Sequence, residues 1–477
     1  MACFLLNKKM SFKKISKKIL WLAVIFSFTI SSGCGCKERT ASLQKVNLEI
    51  WGLFDSSDVY NSIISNYRKI YPNISISYRK TTPINYRQEL IEAMASDKGP
   101  DIFLIGNTWL PVFKDKVAPA PKDIFNEKIL TEEFVDVVSY DFLDNGKVYG
   151  APLSVDSLAL FYNKDLFNAA GITEPPKSWE EFVDDVKLIK KEDPNKIFSP
   201  AGAAMGTARN INRAADILYL LMMQGGAEMV SADRERVSFN QNINKGSVYK
   251  YPGQEALEFY TKFAESKSPF YTWSASSILH NSIDAFGEGD VGMMFSYSWS
   301  IEDVTSKSPK LNLGIAPVPQ LNPNFPVGYA NYWGYVVAKN NPKNKVNNDL
   351  RIKEAWKFIR YLTTKPFLKD SGSKSGSGCV KELGESAKPD YNFDPAADYL
   401  KKTKKPAARK DIIKKQKNEP IIGVFAEGNL IARSWYQADP EKIDSYILEA
   451  IEKVNIGQLS PMEALNTAAS RINQIMK

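Results

Sequence analysis

Apolar and polar positions follow two different periods over the first part of the chain. A period of two, typical of strands, occurs at residues 46–50 and 74–78, and residues 101–105 form a short, mostly apolar run. Between them, residues 59–70 and 86–94 place apolar side chains three or four apart, as helices do. The order strand–helix–strand–helix–strand predicts a parallel sheet with right-handed crossovers, and therefore an α/β fold.

The same kinds of element recur later in the chain. Residues 158–162 and 291–297 are predicted strands, and Ser178 with Glu181 forms a capping box at the start of a helix. Trp179 and Trp356 lie on apolar helix faces and are predicted to be core residues. Five further stretches have helical periodicity: 208–224, 254–265, 352–362, 440–454 and 460–476.

A basic run, an apolar run and a cysteine follow one another near the start of the chain, as Lys13 to Lys18, Ile19 to Ile30 and Cys34. An apolar stretch of about a dozen residues is short for a hydrocarbon core of ~30 Å. The order predicts a secretory signal over residues 1–33, lipidation of Cys34 and a polar tether over 34–45. We therefore expect an exported protein, anchored by lipid at the outer face of the cytoplasmic membrane.

Three alternatives remain open in this part of the chain. The apolar stretch could be a plain transmembrane anchor. Cys36 is a second candidate for the lipidated residue. Met10 is a second candidate for the first residue, since the lysine cluster follows it directly.

Charge and composition exclude several classes of function. The net charge of +8 belongs mostly to the predicted signal, and beyond residue 33 there remain 56 basic and 54 acidic residues. This balance gives nucleic-acid binding no support. With one histidine, His280, and four cysteines in the chain, neither a histidine-based metal site nor a disulfide framework is expected. We predict no metal, no cofactor and no catalytic residue.

The sequence from Gly287 to Gly292 matches the glycine spacing of dinucleotide-binding loops, but in the wrong context. A predicted helix precedes it and a predicted strand follows it, whereas that motif needs the reverse order. These glycines are therefore predicted to turn the chain from a helix into a strand.

Tryptophans lie at several predicted strand ends and in neighbouring loops. Trp51 ends the first strand, Trp109 follows the third, Trp299 follows the strand 291–297, and Trp333 and Trp435 lie in later loops. Open α/β sheets bind ligands at the carboxyl ends of their strands. Because an indole stacks on the apolar face of a sugar ring while Asp, Asn and Ser bind its hydroxyls, this pattern favours a carbohydrate site.

A series of short motifs also runs through the chain. They are Gly99 to Ile102, Tyr149 to Pro152, Leu160 to Phe167, Ala170 to Ile172, Pro175 to Phe182, Phe286 to Gly289, Val291 to Met294, and Leu313 to Pro319. In order and spacing they resemble the extracellular solute-binding proteins of ABC importers, in the branch that includes maltose-binding protein. The resemblance covers nearly all of residues 46–477.

The resemblance implies a two-lobed periplasmic-binding-protein fold, type II-like, in which each hinged lobe has a mixed or parallel sheet flanked by helices. Lobe 1 would take residues 46–152 and 315–365, and lobe 2 would take 153–314 and 366–477. The crossings would fall near Pro152–Val155, Ile315–Pro319 and Pro366. Residues 366–420 match the family poorly, and the basic stretch 401–417 within them is predicted to be a solvated face.

The resemblance also implies a ligand-binding set. Its members are Trp51, Asp55, Ser56, Asn107, Thr108, Trp109, Asp156, Trp299, Tyr329, Trp333 and Trp435. Only the type of site carries over, and the identity of the ligand stays open.

The implied function is that of a monomeric binding protein. It captures a carbohydrate of the oligosaccharide class without covalent bonds and delivers it to membrane permease subunits. Other solutes remain alternatives: glycerol-phosphate, a polyamine or a peptide. A surface glycoside hydrolase is the alternative from another class of protein, and it would need two carboxylates that face each other across the cleft. A sensor for a membrane kinase would use the same cleft, and the sequence does not separate sensing from transport.

Overall fold

The structure, a computed structural model, describes residues 44–191, 199–245, 248–275, 281–367 and 389–476. The predicted signal, Cys34, Cys36 and His280 lie outside the described residues. Residues 45–477 form one compact unit. Its strands are β1 Val46–Gly52, β2 Ile74–Lys80, β3 Ile102–Gly106, β4 Val117–Ala118, β5 Leu143–Asp144, β6 Lys147–Val148, β7 Ala159–Asn163, β8 Ala201–Ala203, β9 Ile243–Lys245, β10 Val248–Lys250, β11 Val291–Ser296, β12 Leu313–Pro317, β13 Gly328–Tyr329, β14 Trp333–Ala338 and β15 Ala432–Arg433.

Helices alternate with these strands over most of the unit. They are α1 Asn61–Ile70, α2 Tyr86–Ala95, α3 Leu110–Phe113, α4 Glu127–Glu133, α5 Asp136–Phe142, α6 Lys164–Ala169, α7 Trp179–Ile189, α8 Ala214–Gln224, α9 Pro252–Thr261, α10 Ser282–Glu288, α11 Ser300–Lys307, α12 Asn348–Thr363, α13 Pro395–Thr403, α14 Lys410–Gln416, α15 Ile422–Ile431, α16 Pro440–Asn455 and α17 Pro461–Met476. Short 3-10 turns cover Ser57–Tyr60 and Asn107–Trp109.

Two sheets organise the elements. The first has the order β2-β1-β3-β14-β4, with β1 parallel to β2 and β3, and β14 antiparallel to β3. The second has the order β12-β7-β11-β8, in which β7 runs antiparallel to both β11 and β12. The α/β class and the predicted parallel pairing of the first three strands are therefore confirmed, and both sheets carry an antiparallel strand.

Local signals in the sequence are confirmed where they act through neighbouring residues. Ser178 and Glu181 cap α7 reciprocally, and Ser460 with Glu463 does the same for α17. The glycine-rich stretch turns α10 into β11, with Gly289 in the left-handed region at φ +86°. A Cβ on Gly292 would lie 2.9 Å from the Gly202 oxygen, so close backbone packing also requires a glycine there.

The apolar side chains form two cores. The first joins β1–β3, β14 and α12, and contains the fully buried Trp356. The second joins β7, β11, α8, α16 and α17, and contains Trp179, 4% exposed. We call the parts built around them lobe 1 and lobe 2. Both tryptophans were predicted as core, and both are.

The chain passes between the cores at places that differ from the predicted crossings. It leaves the first core after Val155 and enters the second at Leu158, close to the predicted position. It returns between Tyr329 and Ala330, so the predicted crossing at Ile315–Pro319 is wrong. The physical reason is that β12 pairs with β7 in the second sheet, which keeps residues 313–317 in lobe 2.

The assignment of residues 366–477 to lobe 2 is also wrong in part. Side chains of α13 and α14 join the first core, so the described residues around Pro366 show no crossing, and the chain enters lobe 2 between Ile413 and Trp435. The stretch 401–417 is not simply a solvated face. Arg409 in it is 2% exposed, with its guanidinium between Asp394 and Asp411, and Ile413 is 1% exposed.

In the described part of the chain, no helix combines the length and the apolar character needed to span a bilayer.

Candidate functional site

Aromatic side chains collect where the first sheet meets the crossings. Trp333 begins β14 and pairs with Gly106 at the carboxyl end of β3, and Trp109 follows β3 in the next turn. The rings of Trp109 and Trp333 lie 5.1 Å apart, and those of Phe54 and Trp333 5.6 Å apart, both edge to face. Phe54 is 44% exposed, and the two indoles are half-buried. We call Phe54, Trp109 and Trp333 the lobe 1 aromatic wall.

The close approach of these rings depends on a small residue beneath them. A Cβ placed on Gly106 would lie 3.1 Å from Trp109 Cδ1. Glycine therefore allows the indole to lie against the end of β3, where it contacts Trp333 instead of pointing away.

Ionic and cation–π contacts join this wall to lobe 2. The Arg87 guanidinium lies 5.9 Å from the Trp109 ring, and its Nη1 lies 3.2 Å from Asp439 Oδ1 and 2.9 Å from Glu441 Oε2 at the start of α16. Arg234 of lobe 2 also lies over the rings of Tyr140 and Tyr436. The lobes therefore touch in this structure.

A half-buried carboxylate that the sequence did not single out lies between the lobes. Asp141, at the end of α5, accepts hydrogen bonds from Asn107 Nδ2 at 3.1 Å, from the Tyr332 hydroxyl at 2.7 Å and from the Ser434 hydroxyl. Burial raises the pKa of Asp141 to about 7, although these hydrogen bonds act in the opposite direction. Asp141 thus orients the predicted residue Asn107 and ties lobe 1 to the segment that follows β15.

Asp156 lies in the first crossing, and only one of its two carboxylate oxygens accepts hydrogen bonds from the described residues. Its Oδ2 accepts from the Ser298 backbone N–H at 3.0 Å and the Ser298 hydroxyl at 2.7 Å. Its buried Oδ1 has no hydrogen-bond partner among the described residues. Burial raises the pKa of Asp156 to about 7. The next residue after Ser298 is Trp299, 44% exposed, which leaves an aromatic face on lobe 2 close to this carboxylate.

Asp55 follows β1 and is held by residues from the far end of the chain. Its Oδ2 accepts from the Tyr399 hydroxyl at 2.7 Å, and its Oδ1 lies 2.7 Å from Lys405 Nζ. The Lys405 ammonium also lies 5.8 Å from the Phe54 ring. Asp55 is therefore beside the lobe 1 aromatic wall and forms an ion pair there.

Three of the predicted ligand-binding residues are core residues. Trp435 is 1% exposed, lies against Tyr219 at 5.2 Å, and within the described residues its Nε1 has no hydrogen-bond partner. Tyr329 is 3% exposed and also faces Tyr219. Trp51 is 5% exposed, donates to Glu49 Oε1 and is covered by Arg79. Because protein covers these rings, we assign them to packing and correct the prediction for all three.

The remaining predicted residues surround the wall. Asn107 and Thr108 share the turn with Trp109, and Ser56 is exposed next to Asp55. The structure therefore brings together seven predicted residues along the interlobe face, namely Asp55, Ser56, Asn107, Thr108, Trp109, Trp333 and Asp156, with Trp299 on the lobe 2 side. Their role as ligand contacts stays a prediction.

Sequence reasoning missed Phe54, Arg87, Asp141, Tyr399, Lys405 and Ser434. Phe54 lies next to a predicted residue, and its position after a strand was a usable signal. For Asp141 and Lys405 no such signal exists, because each acts through partners more than 30 residues away.

Two surface depressions lie away from the interlobe face. One, of about 10 Å³, borders Phe367 and Tyr391. The other, of about 430 Å³, is lined by side chains of α17 and of the loop before β9, and none of its lining residues is aromatic. It offers no stacking surface, and neither depression contains a predicted site residue, so the interlobe face is the better candidate. Among the described residues, no cluster of His, Cys, Asp and Glu could hold a metal ion.

Comparisons with known proteins agree with this architecture. The family model described as bacterial extracellular solute-binding protein matches residues 55–367. A binding protein of Brucella abortus (strain 2308) is 25% identical over 414 residues, covering 85% of this chain and 87% of that one. A maltotriose-binding protein of Pyrococcus abyssi is 24% identical over 308 residues, 65% of this chain and 60% of that one. The crystal structure of the cyclic α-maltosyl-1,6-maltose binding protein from Arthrobacter globiformis superposes with a TM-score of 0.70 at 19% identity, covering 91% of this chain and 99% of that one.

Proposed function

The chain belongs to the bacterial extracellular solute-binding proteins, and we propose that it is the receptor of an ABC importer, capturing an oligosaccharide between its two lobes. The observation that carries this proposal is the lobe 1 aromatic wall beside hydrogen-bonding groups. An exposed Phe54 and two half-buried indoles supply aromatic surface, while Asp55 and Thr108 supply half-buried polar atoms. This combination suits a sugar, which has an apolar ring face and a rim of hydroxyls.

The names of similar proteins support the same class of ligand. The maltotriose-binding relative and the structural neighbour that binds a cyclic maltosyl-maltose are both named for glucose oligosaccharides. Several rings in a row would use a wall of three aromatics better than a monosaccharide would. We therefore expect a linear or cyclic oligosaccharide rather than a single sugar.

Capture would proceed by closure of the lobes. Within the described residues, three crossings connect the lobes, and contacts such as Arg87 with Asp439 join the surfaces that face each other. A ligand that touches both lobes favours the closed form by its difference in affinity for the two forms. The closed complex would then deliver the sugar to the permease subunits.

The first residues and the family support a location outside the cytoplasmic membrane. A cleaved signal over residues 1–33 and a lipid on Cys34 would hold a monomeric receptor at the outer face of the cytoplasmic membrane. One acyl chain alone binds membranes only marginally, so we expect a multiply acylated cysteine. Mass spectrometry of the amino-terminal peptide from membrane-extracted protein tests this.

Thermal unfolding with a panel of solutes tests the function. We expect maltotriose, maltotetraose or raffinose to raise the Tm, since a ligand at 100 times its Kd adds about 2.7 kcal/mol of stability. Glycerol 3-phosphate, spermidine and a tripeptide represent the other solute classes. A Tm increase with one of these, and with none of the sugars, would overturn the proposal. Release of reducing sugar from the bound oligosaccharide would favour the hydrolase instead.

A further inference from the structure

The segment from residue 389 to 416, which the sequence predicted in lobe 2, packs on lobe 1 and brings Lys405 beside the aromatic wall. Arg409 fixes it through Asp394 and Asp411, and α13 and α14 add side chains to the first core. Lys404 takes a left-handed conformation, φ +55°, which turns the chain after α13. The next residue, Lys405, therefore points its side chain back towards the end of β1.

The loop that carries Lys405 is held firmly at its backbone. The Lys405 carbonyl accepts from Gln416 Nε2 at 2.9 Å, and the Pro406 carbonyl accepts from the Ser154 hydroxyl at 2.6 Å. Ala407 pairs with Ser154 in the first crossing. Because both a helix and a crossing support the loop, the position of the Lys405 ammonium is set before any ligand arrives, which reduces the entropy that binding must overcome.

One of the three N–H groups of the Lys405 ammonium is available to a ligand. Of its three N–H groups, one is directed at Asp55 Oδ1, 2.7 Å away, and one at the Tyr399 hydroxyl oxygen, 2.9 Å away. Among the described residues no partner takes the third. The side chain is 29% exposed, and the ammonium lies 5.8 Å from the exposed Phe54 ring. The ammonium lies over the Phe54 ring, so a group bound against that ring beside Lys405 would meet a free donor.

The neighbouring carboxylate completes a donor and acceptor pair. Asp55 accepts from Lys405 and from Tyr399, and its oxygens retain further lone pairs for a ligand donor. The two opposite charges leave this spot close to neutral. Such a pair matches two adjacent hydroxyls of a neutral sugar, one accepting from Lys405 and one donating to Asp55. An acidic sugar would meet the Asp55 charge as well as the lysine.

We propose that Lys405, paired with Asp55, is a specificity-determining residue that binds adjacent hydroxyls of a neutral sugar ring stacked on Phe54. This inference rests on the proposed function, because it assigns a residue of the same site. It also gives a role to the poorly matched segment 389–416: it brings a lysine to the wall from outside the matched family region, which ends at residue 367.

The test compares two lysines of the same segment. Lys405→Met keeps the aliphatic stem and removes the ammonium. Lys402→Met is the matched control, since Lys402 also pairs with a carboxylate, Asp398, at 2.7 Å, but on the side of α13 that faces Ser62. Titration calorimetry with maltotriose should show at least a tenfold weaker Kd for Lys405→Met. For Lys402→Met, the Kd should stay within twofold of the wild type.

Further measurements make each outcome decisive. Urea unfolding of the ligand-free proteins should show similar stability for the two variants; if Lys405→Met does not fold, Lys405→Gln replaces it. Equal maltotriose affinity for Lys405→Met and the wild type overturns this inference and leaves the proposed function standing. If the wild type binds neither maltotriose nor any other neutral oligosaccharide of the panel, the proposed function fails and this inference fails with it.

Discussion

The aromatic residues of the two lobes differ although they occupy similar places along the chain. Trp333 in lobe 1 is the first residue of β14, and Trp435 in lobe 2 lies two residues after β15. Trp333 keeps a partly open face beside Phe54, whereas Trp435 is 1% exposed and packed among Tyr219 and Phe239. This difference shows that a side chain at the end of a strand can contact a ligand only if it stays exposed. The elements that pack over the strand end decide whether it does.

The covering elements differ for a clear reason. In lobe 2, α8 is almost entirely buried and places Tyr219 against both Trp435 and Tyr329. In lobe 1, the wall lies at the carboxyl ends of β1 and β3, and the segment 389–416 supplies only Lys405 and Tyr399 next to Asp55. The lobe 1 aromatic wall is therefore bordered by polar groups, whereas Trp435 and Tyr329 in lobe 2 are covered by the Tyr219 ring.

The largest effect should come from Trp435→Ala. Removing a buried tryptophan is expected to lower the free energy of unfolding by about 3–5 kcal/mol, with sugar affinity unchanged in the protein that stays folded. Urea unfolding and calorimetry measure the two quantities. Trp299→Ala is the control, because its side chain is 44% exposed and should cost little stability. A stable Trp435→Ala protein that no longer binds sugar would contradict the assignment of Trp435 to the core of lobe 2.

The next largest effect is the pH dependence of stability that Asp156 contributes. This residue lies in the first crossing between lobe 1 and lobe 2. Its folded-state pKa of about 7 lies above the ordinary value near 3.9, so between these pH values the folded protein binds more protons than the unfolded chain. The free energy of unfolding should therefore fall as pH rises, by ~2 kcal/mol from pH 5 to pH 7 for this group.

Asp156→Asn tests that contribution, because it keeps the shape of the side chain and removes the titration. Urea unfolding at several pH values should give a flatter profile for this variant than for the wild type. Asp303→Asn, an exposed residue of α11, serves as the control and should follow the wild type. An unchanged slope in Asp156→Asn would contradict the role given to this carboxylate.

A comparable or smaller effect is expected for Trp333→Ala on the open wall. Loss of a half-buried stacking face should weaken binding of maltotriose by about 1–2 kcal/mol, a factor of about 5–30 in Kd. Stability should fall less than in Trp435→Ala. If Trp333→Ala loses as much stability as Trp435→Ala and binds normally, then Trp333 is a packing residue like Trp435.

The smallest effect should follow Arg87→Met at the contact between the lobes. Its ion pairs with Asp439 and Glu441 are partly exposed, and such pairs contribute about 0.2–1 kcal/mol. We expect a slightly weaker Kd and a weaker dependence of the Kd on salt. Lys128→Met removes an ion pair within lobe 1 and should change neither. Equal effects of the two variants would show that the Arg87 contact does not favour closure.

Much of the site could be predicted from the sequence, because several of its residues lie directly next to strands that the sequence pattern identifies. Asn107, Thr108 and Trp109 follow a recognisable buried strand, and Trp333 begins another, so their position at a sheet edge could be predicted. The errors at Trp51, Tyr329 and Trp435 share one cause. Whether a ring at a strand end is covered depends on helices distant in the chain, and no local pattern reports that contact.

The sequence by itself determined the α/β class, the parallel pairing of β1–β3, the helix caps at Ser178 and Ser460, and the turn at Gly289. These depend on periodicity, on hydrogen bonds three residues apart and on backbone sterics. Only the tertiary structure decided that the return to lobe 1 falls at Tyr329–Ala330, that residues 389–413 pack on lobe 1, and that Asp55 meets Lys405, 350 positions later. The physical reason is that burial and ion pairing are settled by whichever surfaces fit together, and many distant pairs of segments have compatible polarity.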